Sequence, residues 1–305
     1  MNNAEQNALQ ILFKMTKSRM FEDRLTQLKE EGEINDRLHL ATGQEATIAA
    51  VCAVQEDDII FATHRSNHIA IGSDVDIKDL LKEYYGRDDG LCGGKSGGVG
   101  YCDNRVNYYG SSAIAGAQFS RAVGAALSMK IQQKKSVVLC FAGEGACVSG
   151  EFYEAINFAA MRELPIIFFV ENNCYSKYSN VLKLHNLADV SQRAKGFDIE
   201  SAVVDGNDAI EIYTTIQQAR EFVVANGPMI VESNTYRICG YDFKDEAPYR
   251  EKKEILDWKA YDPIDNLEDY IVGHNIATIE DFRNMQEDIE RELEEIYEEV
   301  INYID

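Results

Sequence analysis

From residue 135 to residue 233 the chain alternates short apolar, β-branched runs with longer amphipathic stretches, and this alternation constrains its fold more than any other feature. SVVLCFA is followed by EFYEAINFAAMRE, then LPIIFFV, ESAVV, EIYTTIQQAREFVVAN and PMIVES. Strands separated by helices need crossover connections, so the pattern predicts an α/β fold with a mainly parallel sheet and helices on both faces. Two helical extensions flank it. One covers about residues 5–31, with Leu9, Leu12, Phe13, Met20, Leu25 and Leu28 at helical spacing and Gly32 as its stop. The other covers about 279–305 and places Phe282, Met285, Ile289, Leu293, Ile296, Val300 and Tyr303 on one face. No internal repeat interrupts the chain, and its 305 residues are read as a single domain, 1–305.

Charge narrows the partners. The chain carries 52 Asp and Glu against 30 Lys and Arg, a formal net charge of −22, which argues against a nucleic-acid partner because phosphate-backbone binders cluster basic residues. Eleven acids and two arginines fall within 279–305, and they read as the solvated face of a packed helix. The N-terminal MNNAEQNALQ has no basic and apolar leader pattern, and no apolar run approaches the roughly 18 residues that span a membrane. Seven scattered cysteines without a Cys-x-x-Cys pair fit reduced thiols, so a cytoplasmic location is expected. A glycine-rich stretch, DGLCGGKSGGVG from Asp89 to Gly100, reads as a loop close to a ligand.

The chemistry concentrates after two predicted strands. Gly143-Glu144-Gly145-Ala146 follows SVVLCFA, and Glu171-Asn172-Asn173-Cys174-Tyr175 follows LPIIFFV. A right-handed crossover brings both loops to the carboxyl ends of parallel strands, where open α/β sheets bind ligands. Glu144, Asn173 and the backbone carbonyl of Tyr175 then form an oxygen donor set suited to Mg²⁺ or Ca²⁺, with positions left for diphosphate oxygens. A metal would supply positive charge that this acidic chain lacks. Read alone, GEG is a tight turn and ENN a helix cap; their joint spacing carries the argument.

The run GEGACVSGEFYEAINFAAMRELPIIFFVENNCY resembles the thiamine-diphosphate motif, and the chain as a whole resembles the alpha subunit of thiamine-dependent 2-oxo acid dehydrogenases of the pyruvate, branched-chain and acetoin type. HLATGQEA, THRSNH, GKSGG, GSSAIAGA, VDGND, GPMIVESNTYR and YDPI follow in the family's order. The resemblance implies a thiamine-diphosphate-binding fold. It implies that Glu144, Asn173 and Tyr175 hold the metal, that Gly143, Gly145 and Ala146 line the diphosphate, and that Arg65 pairs with it. Ala113, Ile114 and Ala115 match the segment against the aminopyrimidine ring, and His39, His64 and His68 match substrate-pocket and cofactor-side positions. It further implies decarboxylation of a small 2-oxo acid or cleavage of acetoin with acyl transfer to a lipoyl acyltransferase. The catalytic Glu would come from a beta subunit, in an assembly of two alpha and two beta chains. Three positions depart from the family pattern. Gly98-Val99-Gly100 replaces Ser-Met-His, Asn67 replaces a histidine, and Tyr241 followed by Asp242 replaces the His-Ser whose histidine contacts diphosphate. Tyr241 can hydrogen-bond there without carrying charge. The thinned histidines leave open a decarboxylase or carboligase of a specialised sugar or secondary-metabolite pathway with a non-lipoyl acceptor, and a non-catalytic homologue.

Overall fold

The computed structural model describes residues 3–184, 186 and 189–301, with side chains from residue 7 onward. Tyr303, counted above on the C-terminal helix face, lies outside the described residues. Among these residues five strands form one parallel sheet: β1 (Ile59–Phe61), β2 (Val138–Gly143), β3 (Ile166–Asn172), β6 (Glu200–Asp205) and β7 (Met229–Asn234), in the order β1-β2-β3-β7-β6. A two-residue antiparallel hairpin, β4 (Tyr175–Ser176) with β5 (Ser179–Asn180), stands apart from it. The connecting helices are α1 (Asn3–Glu31), α2 (Ile48–Cys52), α3 (Asn67–Gly72), α4 (Ile77–Tyr84), α5 (Ala117–Ile131), α6 (Gly150–Met161), α7 (Ala209–Asn226), α8 (Lys252–Lys259), α9 (Pro263–Gly273) and α10 (Ile279–Ile301). The four longer strands coincide with the predicted apolar runs. β1 was not foreseen, because three residues are too few to show a period.

The central strands are buried on both faces, as a parallel sheet between helix layers requires. Val138, Cys140 and Ala142 of β2, with Ile166, Phe168 and Val170 of β3, point into one core with Phe119 of α5 and Phe152 of α6. Leu139 and Phe141, with Ile167 and Phe169, point into the other, against α1, α2, α7, α9 and α10. Two-residue periodicity thus assigns these β2 and β3 side chains to one layer or the other. α10 presents Phe282, Ile289, Leu293, Tyr297 and Val300 to that second core, Tyr297 stacking on Phe21 at 6.5 Å between ring centres. Its acidic face meets Lys17, which pairs with Glu292 at 2.7 Å, and Lys78, which pairs with Glu299. Arg220 of α7 reaches the start of β1, donating to both oxygens of buried Asp58 at 2.7 and 3.0 Å. Asp208 caps α7 by accepting from the amides of Ile210 and Glu211, both at 2.9 Å.

The glycine-rich stretch does not line the cavity at the strand ends; it closes on the carboxylate of Glu83 in α4. Glu83 Oε2 accepts from the amides of Cys92 (2.7 Å) and Gly94 (2.9 Å), and Oε1 from the amides of Ser96 (2.8 Å) and Gly97 (3.2 Å) and the hydroxyl of Ser96 (2.9 Å). The loop can wrap one residue this tightly because Gly94, at φ +67°, leaves only 2.2 Å between the place of a Cβ and the carbonyl carbon of Gly86. Glycine therefore serves backbone-on-backbone packing here, and the amides that could have held a phosphate are already used. Gly98 likewise leaves room for the Tyr84 ring, which a Cβ would meet at 2.3 Å. Among the described residues no helix is long and apolar enough to cross a membrane.

Candidate functional site

The registers bring three strand ends level: Gly143 of β2 lies opposite Glu171 of β3, and Glu171 opposite Ser233 of β7. The residues just beyond them, Glu144, Asn173 and Arg237, therefore emerge side by side. They line a cavity of about 270 Å³ together with Thr63, His64, Arg65, Ser112, Ala115, Gln118, Gly145, Ala146, Tyr175, Ser176, Lys177 and Tyr241. Glu144 is 1% exposed. Its Oε2 accepts from the Asn173 amide at 3.4 Å, and its Oε1 has no partner among the described residues. Burial pushes this carboxyl up to about 7. A buried carboxylate oxygen left unpaired is costly unless something positive completes it.

Local backbone conformation brings the remaining donor residues to the cavity. Cys174 takes a left-handed conformation at φ +70°, so the chain turns between Asn173 and Tyr175 and both line the cavity. Asn173 Oδ1 accepts only a long bond, 3.3 Å, from the Tyr175 amide. At Gly145 a Cβ would stand 2.1 Å from Ser176 Oγ, so the Glu144 loop and the β4–β5 hairpin meet only because that residue is glycine. A carboxylate, an amide oxygen and a backbone carbonyl fit a hard divalent cation, and the unpaired Glu144 oxygen is the observation that supports the fit.

Arg65 is 5% exposed and stands over the same cavity. Its guanidinium donates to the carbonyls of Leu40 and of Tyr241, the latter at 3.1 Å, and among the described residues pairs with no carboxylate. Burial, with the nearby Arg237 charge, pushes it down to about 10. His64 also lines the cavity; burial and Arg65 push it down to about 3, so it works as a neutral imidazole. His39 does not line the cavity. It packs edge-on against His64 at 4.8 Å and against Tyr241 at 5.0 Å between ring centres, and its Nδ1 donates to the Tyr241 carbonyl at 2.8 Å. A carbonyl only accepts, so Nδ1 carries the proton and Nε2 is bare.

Other residues named from the sequence lie elsewhere. His68 is fully buried behind the cavity, with Nε2 3.0 Å from Glu171 Oε1. The same oxygen accepts from Thr47 Oγ1 at 2.9 Å and Gln44 Nε2 at 3.3 Å, so His68 is part of a polar knot that fixes the end of β3. Ala113 and Ile114 are exposed on the loop before α5, Ile114 at 70%, and of this segment only Ala115 reaches the cavity. Asn67 accepts from the hydroxyls of Tyr84 and Tyr101, both at 3.0 Å, and donates to Glu22 at 3.2 Å; it is a buried bracket with no access to the cavity. The site also includes Thr63, Ser112, Gln118, Glu171, Ser176, Lys177 and Arg237, none of them given a role from sequence. For Arg237 a signal existed: an arginine three residues past a central strand.

Comparison with known proteins identifies the family. The model of the dehydrogenase E1 component family matches residues 13–304. The chain is 34% identical to the pyruvate dehydrogenase E1 component subunit alpha of Rickettsia bellii over 287 residues, 93% of this chain and 87% of that protein. It is 32% identical to the subunit alpha of the acetoin:2,6-dichlorophenolindophenol oxidoreductase of Bacillus subtilis over 302 residues, 98% of this chain and 89% of the other. A pyruvate dehydrogenase E1 component subunit alpha from Zymomonas mobilis is 32% identical over 291 residues, 94% and 82% of the two chains. The chain belongs to the dehydrogenase E1 component family, as an alpha-type subunit of a thiamine-diphosphate-dependent dehydrogenase.

Proposed function

We propose that this chain binds Mg²⁺ or Ca²⁺ through Glu144, Asn173 and the carbonyl of Tyr175, and through that ion the diphosphate of thiamine diphosphate, to decarboxylate a small 2-oxo acid. The carrying observation is that Glu144 and Arg65 share one cavity without pairing: a buried carboxylate with a vacant oxygen, and a guanidinium held only by carbonyls. Opposite charges that stay apart in a low-dielectric site are complementary to a ligand that carries both, here a cation with its anion. Pyruvate and acetoin are what the relatives are named for, so a 2-oxo acid or an acyloin of that size is the substrate class.

Bound thiamine diphosphate supplies the electron sink that decarboxylation of a 2-oxo acid requires. The chain's own part is positioning and charge. Arg65 is pre-set by the Leu40 and Tyr241 carbonyls, so its fork needs no reorganisation to take a phosphate oxygen. Gly145 and Ala146 line the cavity beside Glu144, and close packing of the β4–β5 hairpin excludes water from that side. His64, neutral and in edge contact with His39, offers hydrogen bonding near the substrate without adding charge. The exposed Ala113-Ile114 pair beside the cavity is apolar surface suited to burial against the beta subunit, in a two-alpha, two-beta assembly that passes its acyl group to a lipoyl acyltransferase. A cytoplasmic setting fits seven free cysteines.

The test is co-expression with a beta-type chain, then calorimetry with thiamine diphosphate and assay of carbon dioxide release from a panel of 2-oxo acids. Cofactor affinity should collapse in EDTA and fall at least a hundredfold in Glu144→Gln. Affinity indifferent to chelator would overturn the metal site, and release from none of the acids would overturn the reaction.

A further inference from the structure

Arg237 is a buried cation that the protein leaves unbalanced. It is 1% exposed and lines the cavity. One terminal nitrogen donates to the Lys177 carbonyl at 2.8 Å and to the Tyr249 hydroxyl at 3.1 Å, while Nε has no partner. Among the described residues no carboxylate lies within ion-pair distance of it. Asp245 is committed to the Tyr249 hydroxyl at 2.6 Å and the Tyr241 amide at 2.7 Å. Its neighbour Arg250 also has an Nε without a partner, but it donates to the carbonyls of Arg237, Ile238 and Cys239 and does not line the cavity. A buried guanidinium with a free N–H and no counter-charge costs stability unless an anion completes it.

The charge balance says which anion. A diphosphate ester carries about three negative charges near neutral pH. A divalent cation with the lining charges Glu144, Glu171, Arg65 and Lys177 leaves about one of these uncompensated, and Arg237 supplies one. The position also matters. Where the family resemblance places a diphosphate-contacting histidine this chain has Tyr241, and the Arg237 guanidinium stands 5.9 Å from the centre of that tyrosine's ring.

We propose that Arg237 is a second guanidinium for the diphosphate, its Nε–H donating to a phosphate oxygen in place of the histidine absent at Tyr241. This rests on the diphosphate reading above. An arginine keeps its charge where a histidine would lose it, so the contribution of this one contact does not fade as pH rises through the histidine range.

The test uses the alpha–beta assembly with Mg²⁺, calorimetry with thiamine diphosphate and with inorganic pyrophosphate, and the melting temperature without ligand. Arg237→Met should bind both probes at least tenfold more weakly. Its ligand-free assembly should melt at or above the wild-type temperature, because an uncompensated buried charge has gone. Arg237→Lys should lose threefold to tenfold, and if Arg237→Met fails to assemble this variant decides. Wild-type affinity in either variant overturns the proposal. So does a large fall in melting temperature with affinity intact, which would make Arg237 only a lock on the Lys177–Tyr178 turn. If the wild-type assembly binds neither probe, the diphosphate reading itself falls.

Discussion

Glu83→Gln should destabilise this protein far more than its isosteric shape implies. The Glu83 side chain is buried and takes five donors, two on Oε2 and three on Oε1. Glutamine keeps one acceptor oxygen. Whichever way its amide is turned, at least two donors of the glycine-rich loop then face an NH₂ group. Each buried donor stranded in this way costs about 1–3 kcal/mol, so the substitution costs about 2–6 kcal/mol. At about 2 °C per kcal/mol for a chain of this length, the melting temperature should fall by about 4–12 °C. Although burial opposes it, the backbone bonds from Cys92 and Ser96 hold the Glu83 carboxyl below its ordinary value. Its contribution is therefore present above the unfolded-state value and disappears as pH drops through the lower folded one, so wild type and variant should converge in acid. Thermal unfolding from pH 3 to 7, with cofactor affinity measured alongside, checks this. A fall below 1 °C at pH 7 would refute the account of the loop. Lost cofactor affinity in fully folded protein would restore the ligand-loop reading.

Arg220→Ala removes a bidentate partner from Asp58, which keeps only the amides of Gln55 (2.7 Å) and Val137 (2.8 Å). The cost should be about 3 kcal/mol in urea unfolding, the low end for a broken buried pair, and less than 1 kcal/mol would contradict it. His64→Asn addresses the depressed imidazole. With a folded value of about 3, the wild type loses stability as pH falls below the ordinary histidine value, because the unfolded chain takes up the proton first. Melting curves of wild type and variant should therefore draw together or cross between pH 6.5 and 4, and parallel curves would show that His64 is not held neutral by the fold.

Much of the layered architecture was written in period and composition. Alternating apolar strands and amphipathic helices predicted the parallel sheet, and the Gly-Glu-Gly and Glu-Asn-Asn segments after two of those strands marked where ligands sit. These signals are local: a strand's two-residue period assigns its own side chains to two faces, whatever its neighbours are. Strand order and register are not local, and they decide the site. β7 lies between β3 and β6, which sets Arg237 beside Glu144 and Asn173 from a point more than sixty residues further along. For the same reason the three histidines separate in the fold: His64 lines the cavity, His39 packs against it, and His68 is tied to Glu171 behind it. Nor could the glycine-rich stretch be told from a phosphate loop until Glu83 was seen inside it, because glycine composition reports backbone freedom and not what the freed amides bind. The sequence by itself determined the layers and the chemical type of the ligand set. Tertiary structure alone decided which charges stand unpaired in one cavity, since burial and pairing are properties of the whole packed chain.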